Sequence, residues 1–304
     1  MTNEFDVIVI GAGIAGISAA IYLKRSSLSF LLLDKGMVGG KLNYIHKIDN
    51  YPGFSSISGI ELSLSLQRQM KQLNIESTYG EVNKIEKKDN VFQVRTDLDT
   101  YKCKAIILAS GSSEQRLGVK GEKEFFGKGV SYCATCDGPF FKNKEVAVYG
   151  YKDFAFEDAL YLASICSKVY FILPRESKAS EVHFNEVISK DNIKLIQGYQ
   201  LKEINGKDAV SSILISNGKE DKLIYVSAIF PLFEQVSSIQ FLSSLNLDSK
   251  NNFVLIDSSS STNVPGFFAC GDVVNKKVKQ LVNAASEGAI AAISAINYVR
   301  TIQK

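Results

Sequence analysis

The sequence contains no apolar run long enough to cross a membrane: the longest uncharged stretch, Val7 to Leu23, includes three glycines and falls short of the ~18 residues a spanning helix needs. Nor does its N-terminus show a basic region followed by an apolar core, so a cytoplasmic location, where thiols are kept reduced, is expected. No dense basic block interleaved with aromatics is present, and the formal charge is only +3, so a nucleic-acid partner is not expected. A second close pair of metal-type ligands is also missing. Cys103, Cys166, Cys270, His46 and His183 stand singly, and zinc needs four ligands, so no metal site is expected.

What is present is ample for a globular enzyme. With 304 residues, 45% hydrophobic and 22% charged, the chain can bury a good core and is expected to form two domains. Its most distinctive stretch is Cys133-Ala134-Thr135-Cys136-Asp137-Gly138. Two thiols at this spacing can close a small ring, and the first is readily stabilised as a thiolate, so the pair can exchange with a partner disulfide. A structural staple is a poor alternative, because so short a ring constrains little of the unfolded chain. Asp137, beside the second sulfur, is placed to hold or release a proton as a thiolate leaves.

Phe5 to Ile10 is a short apolar run that predicts a buried parallel strand. It leads into Gly11-Ala12-Gly13-Ile14-Ala15-Gly16 and a helix from Ile17 to Lys24. Glycines at these positions allow a tight turn, close approach of backbone to a pyrophosphate, and close packing of helix on strand. A second strand, Ser29 to Leu33, then ends in Asp34, where an acid can bind a ribose hydroxyl pair. Strand, glycines, helix, strand and acid in register predict dinucleotide binding.

Further strands are expected at Glu81 to Ile85, Val91 to Thr96, Thr100 to Cys103 and Ala105 to Ala109, after a helix from Ile60 to Leu73. Beyond the cysteines, Glu145 to Tyr149, a helix from Phe154 to Ser164 and a strand from Lys168 to Leu173 repeat the strand, turn, helix, strand order of the first unit. The turn chemistry differs: Gly150-Tyr151-Lys152-Asp153-Phe154-Ala155 has Lys152 where the second glycine would stand and adds the charge of Asp153. Lys152 is either an ordinary solvated lysine at a helix start or a point-charge ligand for phosphate. Leu173-Pro174-Arg175-Glu176-Ser177-Lys178 offers one arginine, where a ribose 2′-phosphate would want several. Strands are expected at Ile193 to Ile204, Ser211 to Ser216 and Leu223 to Phe230, with turns at Asn205-Gly206 and Asn217-Gly218. The polar stretch 234–238 links back to the first domain. Phe253 to Asp257 and Gly266 to Val273 follow, and then a helix from Gln280 to Tyr298.

Over nearly its whole length the chain resembles the low-molecular-weight thioredoxin reductase family of flavoproteins. The resemblance is carried by Gly11, Gly13 and Gly16, by Gly39-Gly40, by Asn50-Tyr51-Pro52-Gly53, by Ser131 to Phe140, and by Gly271-Asp272 with Gln280 and Leu281. It implies an α/β fold of two Rossmann-like, three-layer domains: a discontinuous FAD domain over residues 1–114 and 239–304, with a disulfide-bearing domain of degenerate NADPH type inserted over 115–238. It also implies a homodimer that acts on thioredoxin. Carried over by position, Gly11, Gly13, Gly16 and Asp34 would hold the adenosine diphosphate part of FAD, and Asp272 the ribityl chain. Gly40, Lys41, Asn50 and Gln280 would lie around the flavin, with Lys35, Val82, Gly111, Gly271 and Leu281 completing the cofactor site. Cys136 would receive electrons from the flavin, Cys133 would attack the partner disulfide, and Asp137 would serve as acid or base.

Two departures from the family pattern matter. Glutamine is usual where this chain has Lys41. The GxGxxA turn and HRRxxxR motif of the nucleotide domain are largely lost, so NADPH is not expected as the reductant. The chain is most similar to the ferredoxin-dependent flavin thioredoxin reductases, which implies reduced ferredoxin as donor. An NAD(P)H-dependent reductase with a divergent site, a dithiol oxidase and a non-catalytic flavin sensor are the alternatives. Residues 115–238 carry 16 basic and 16 acidic side chains, so the +3 lies on the FAD segments, where Lys276-Lys277-Val278-Lys279 is either a solvated run or a docking face for an acidic ferredoxin.

Overall fold

Val7, Ile8, Val9 and Ile10 are all 6% exposed or less. The strand Glu4–Ile10 that carries them has neighbours on both edges and apolar layers on both faces. Val7 and Val9 enter one core cluster, while Ile8 and Ile10 enter the other. A continuous apolar run, not an alternating one, is what such a doubly covered strand requires. The computed structural model describes the chain except for Met1, Thr2, His46, Gln115, Glu234, Ser237, Ser238 and Lys304.

Glu4–Ile10 runs parallel to Phe30–Asp34 on one side and to Thr100–Leu108 on the other. Ser77–Tyr79 extends the sheet beyond Phe30–Asp34. The nine-residue strand Thr100–Leu108 has room for two partners on its far edge. Its first half pairs antiparallel with Val91–Thr96, itself paired with Val82–Lys88. Its second half pairs parallel with Phe267–Ala269. A strand from late in the chain thus completes a sheet begun at the start, and the first compact unit comprises Met1–Ser113 and Val236–Lys304.

One face of this sheet is covered by the helices Ile14–Lys24 and Leu281–Ile302, the other by the Val82–Thr96 hairpin and the short helix Gln240–Leu245. The two long helices cross at small residues. A Cβ at Gly288 would lie 2.1 Å from the Ala15 carbonyl oxygen, and Ser18 Oγ donates to the Ala285 carbonyl at 2.6 Å. The helix Gly59–Gln72 starts with a capping box, Ser58 and Glu61 each accepting from the other's backbone N–H.

The second unit, Glu114–Gln235, has its own three layers. Its parallel sheet runs in the order Ile193–Gln197, Lys168–Leu173, Glu145–Tyr149, Ala228–Pro231. The helices Asp153–Ile165 and Glu181–Ile188 cover one face, and an antiparallel sheet of Gln200–Gly206, Val210–Ser216 and Asp221–Tyr225 covers the other. This is the expected α/β fold of two Rossmann-like units.

Several expected elements differ in extent. Ile193 to Ile204 is two strands in different sheets, because Gly198 takes φ +77° and redirects the chain. Leu223 to Phe230 divides in the same way, while Thr100 to Cys103 and Ala105 to Ala109 are one strand. Asn205-Gly206 lies inside a strand, and the reversal falls at residues 207–209. In both split runs the apolar residues continue on either side of the break, so composition does not mark it. Part of the polar link at 234–238 and the His46 position lie outside the described residues.

A methyl group at the helix crossing should be costly, since it meets a backbone oxygen that cannot rotate away. Gly288→Ala is expected to lower stability by about 1–3 kcal/mol, read as a lower urea midpoint at unchanged slope.

Candidate cofactor cradle and redox centre

At the end of Glu4–Ile10 the chain turns through Gly11, whose φ of +108° and 2.3 Å approach of its would-be Cβ to the Ala109 carbonyl admit only glycine. A Cβ at Gly16 would stand 1.7 Å from the Gly11 carbonyl oxygen, so the helix can sit on the turn only where that side chain is absent. Gly13 is different in kind. A Cβ there meets nothing within 4 Å, leaving open space at the N-cap of the helix Ile14–Lys24, whose first turn has no acid. Backbone N–H groups and a positive helix end facing open space form an anion site.

Asp34 closes the cradle. Its Oδ2 accepts the Ala12 N–H and its Oδ1 the Gly36 N–H at 2.7 Å. Gly39 donates its N–H to the Ala12 carbonyl at 2.8 Å, and Gly40, with φ +53°, lies against Gly13. Lys41 follows directly, its Nζ 3.3 Å from both Asp272 Oδ2 and Ser112 Oγ. Gly111, with φ +70°, has open space beside it. Asn50 Nδ2 donates to Gln280 Oε1 at 3.2 Å, and Leu281 begins the last helix. The structure therefore gathers Gly11, Gly13, Gly16, Asp34, Gly40, Lys41, Asn50, Gly111, Gly271, Asp272 and Gln280 within one unit. Lys35 is mostly exposed and pairs with Glu81 at 2.8 Å; Val82 begins a strand and packs against the second core cluster.

Glu287 was not singled out in the sequence. Its Oε2 accepts the Gly271 N–H at 2.8 Å, and both its oxygens receive Lys276 Nζ, at 2.8 and 2.7 Å. Lys279 Nζ donates to the Asp272 carbonyl at 3.1 Å and lies 3.4 Å from the centre of the Phe253 ring. Two lysines of the 276–279 run thus hold the Asp272 loop in place, and within the run only the Lys277 ammonium belongs to an exposed lysine. Lys276 and Lys279 are therefore not simply solvated, as one of the two readings of the run would have them. The signal was a lone acid inside an otherwise alanine-rich helix.

In the second unit Cys133 and Cys136 are joined as a disulfide, both half-buried, with Cα atoms 5.3 Å apart. Cys133 caps the short helix Ala134–Asp137. Its sulfur accepts the Cys136 N–H at 3.2 Å, and the Thr135 hydroxyl lies 3.5 Å away. Two donors aimed at one sulfur favour a thiolate there once the bond is reduced. Ser131 Oγ fixes the backbone by accepting the Cys133 N–H at 3.1 Å. Gly138 permits the turn to rest on the helix Asp153–Ile165, since a Cβ there would meet Leu162 at 2.9 Å. Asp137, half-buried, is the residue between Cys136 and this glycine.

The other thiols are of another kind. Burial pushes Cys166 up to about 11 and Cys103 higher still. Cys270 is pushed up to about 12, by burial first and then by the Glu287 carboxylate. All three are buried and inert. No cluster of three or more metal-type ligands occurs among the described residues.

The second turn has the backbone of a nucleotide site but a different filling. Gly150 is required, its would-be Cβ lying 2.6 Å from both Ala155 Cβ and the Leu232 carbonyl. Lys152 is the N-cap of the helix Asp153–Ile165, and its own side chain caps nothing. Asp153, in the first turn, accepts the Ser180 N–H and bonds His183 Nδ1, both at 2.8 Å. Lys178 donates its N–H to the Tyr151 carbonyl at 2.7 Å, and the Arg175 guanidinium lies 3.9 Å above the Tyr151 ring. Segment 175–183 is folded onto the turn. The Asp153 carboxylate in the first turn of this helix is thus bonded to residues of that segment.

The bond has a pH window. Asp153 is held below the ordinary carboxylate value of 3.8, chiefly by the Ser180 N–H and then by His183, while the bond to Asp153 raises His183 above 6.5. The Asp153 contribution is present above 3.8 and is lost as pH falls through its depressed value. The His183 contribution is complete below 6.5 and is lost as pH rises through its raised value. Proton NMR titration should place His183 above 6.5, and Asp153→Asn should bring it back down.

Residues 5–288 match the family model described as pyridine nucleotide-disulphide oxidoreductase. A thioredoxin reductase of Treponema pallidum is 36% identical over 307 residues, covering 100% of both chains. The crystal structure of thioredoxin reductase from Streptococcus pyogenes superposes with a TM-score of 0.95 at 33% identity, covering 99% of this chain and 100% of the other. A ferredoxin-flavin thioredoxin reductase from Clostridium acetobutylicum has a TM-score of 0.56 at 33% identity, covering 99% of each.

Proposed function

Because the chain belongs to the pyridine nucleotide-disulphide oxidoreductase family, we propose that it binds FAD and reduces a thioredoxin disulfide through Cys133 and Cys136. Cys133 carries this assignment: its sulfur is bonded to Cys136, half-buried, and faced by the Cys136 N–H and the Thr135 hydroxyl. Opening the Cys133–Cys136 bond takes two electrons and two protons and leaves two thiols. The Cys133 thiolate attacks the thioredoxin disulfide, forming a mixed disulfide and releasing one thioredoxin thiol. Cys136 then displaces the second thiol and closes the ring again. Asp137 holds the proton that must leave or join Cys136 in these exchanges.

FAD supplies the electron pair for opening the bond. The first unit fits it: Gly13 leaves open space at a helix N-terminus free of acids, and Asp34, Lys41, Asp272 and Gln280 surround the crevice. Gly11, Gly16, Lys35, Gly40, Asn50, Val82, Gly111, Gly271 and Leu281 belong to the same assignment. We assign the reductant as ferredoxin rather than NADPH, because Lys152 stands where the second glycine would be, Asp153 adds a negative charge in the first helical turn, and a single arginine is nearby. The working form is taken to be a cytoplasmic homodimer. Among the described residues no helix is long and apolar enough to cross a membrane.

Anaerobic titration of the purified protein tests the donor and the chemistry together. The expected result is flavin bleaching by reduced ferredoxin, with thioredoxin thiols formed, and no bleaching by NADPH or NADH. Rapid bleaching by NADPH would replace ferredoxin with a nucleotide donor. Cys133→Ser should abolish thioredoxin reduction while retaining FAD; retained activity would overturn the role of Cys133.

A further inference from the structure

Lys41 is placed by three independent constraints. The Gly39 N–H is tied to the Ala12 carbonyl, Gly40 lies against Gly13, and the Lys41 ammonium reaches Ser112 and Asp272. Ser112 follows the strand Thr100–Leu108, and Asp272 follows Phe267–Ala269, which are parallel neighbours in one sheet. The ammonium therefore spans the loops at the carboxyl ends of adjacent strands, beside the first glycine turn. In open α/β sheets that crevice is where a ligand sits.

The position is polar and only partly wet: the Lys41 and Asp272 side chains are 38% and 21% exposed. A charge at such a place acts through less solvent than one at the surface. Asp272 is held there from behind, by Lys279 on its carbonyl and by Glu287 on the Gly271 N–H. Without the lysine, its carboxylate would add an uncompensated negative charge to the crevice.

We propose that Lys41 sets the reduction potential of the flavin, acting as the cation that offsets both Asp272 and the negative charge added by two electrons and one proton. This rests on the FAD reading given above. Lys41 is a tuning residue here rather than one that bonds to the reacting sulfur atoms. A side chain without charge would leave the oxidised ring bound but disfavour adding electrons to it.

Lys41→Gln and Lys41→Arg, measured in the FAD-loaded full chain, separate charge from hydrogen bonding. Glutamine can still donate to Asp272 and Ser112; arginine keeps the charge. Spectroelectrochemical titration is expected to show the glutamine variant with about a tenfold lower ratio of reduced to oxidised flavin at a fixed ambient potential, a shift of about 30 mV for a two-electron couple. The arginine variant should stay within about threefold of wild type. A glutamine variant with FAD bound and an unchanged potential overturns the proposal alone. An arginine variant displaced as far as glutamine also overturns it, since charge would not then be the cause. A wild-type protein that takes up no FAD overturns the proposal and the FAD reading together.

Discussion

The larger unit depends on one contact made possible by a missing side chain, the approach of Gly16 to the carbonyl oxygen of Gly11. At 1.7 Å no Cβ can be accommodated, so this glycine decides how low the helix Ile14–Lys24 sits on its strand. The rest follows from that height. Ala15, one residue earlier, presents the carbonyl against which Gly288 of the last helix packs, and Ala12 presents the carbonyl that anchors Gly39. The helix that begins at Leu281 and the loop that carries Lys41 are thus both indexed to the first turn. Asp272, Gln280 and Lys41, far apart in sequence, come together for that reason.

The two units show how one backbone plan yields opposite chemistry. Each has a strand, a turn opened by a required glycine, and a helix. In the first, position 13 is a glycine with empty space beside it and the helix start carries no acid. In the second, Lys152 stands at the N-cap and Asp153 supplies a carboxylate that satisfies the Ser180 N–H. A helix start binds either an external anion or its own side chain. Here the first start carries no acid, whereas the second has the Asp153 carboxylate in its first turn, bonded to Ser180 and His183.

Much of this was legible where chemistry depends on neighbours in sequence. The Gly11, Gly13 and Gly16 spacing, the acid at Asp34 and the cysteine pair with Asp137 are local patterns, although the helix starts at Ile14, three residues before the expected Ile17, and so takes in Gly16. The breaks at Gly198 and after Tyr225 were hidden because apolar residues continue across them into a second layer. Glu287 and Lys276 were hidden for another reason. Their bond crosses from a loop to a helix, and nothing in a lysine run tells which members turn inward. The Asp153–His183 bond spans a whole strand and loop, and only the fold brings the two together.

The constraints on electron supply are physical as well as historical. Opening the Cys133–Cys136 ring takes a pair of electrons, whereas an iron-sulfur donor gives them singly. A cofactor able to collect two single electrons and release them together is therefore what such a donor requires of the first unit. The second unit bonds Asp153 to Ser180 and His183 in the first turn of its helix, and the first unit holds Lys41 between Asp272 and Ser112. In the middle unit the absence of a side chain at Gly138 lets the turn that carries the Cys133–Cys136 ring rest on the helix Asp153–Ile165.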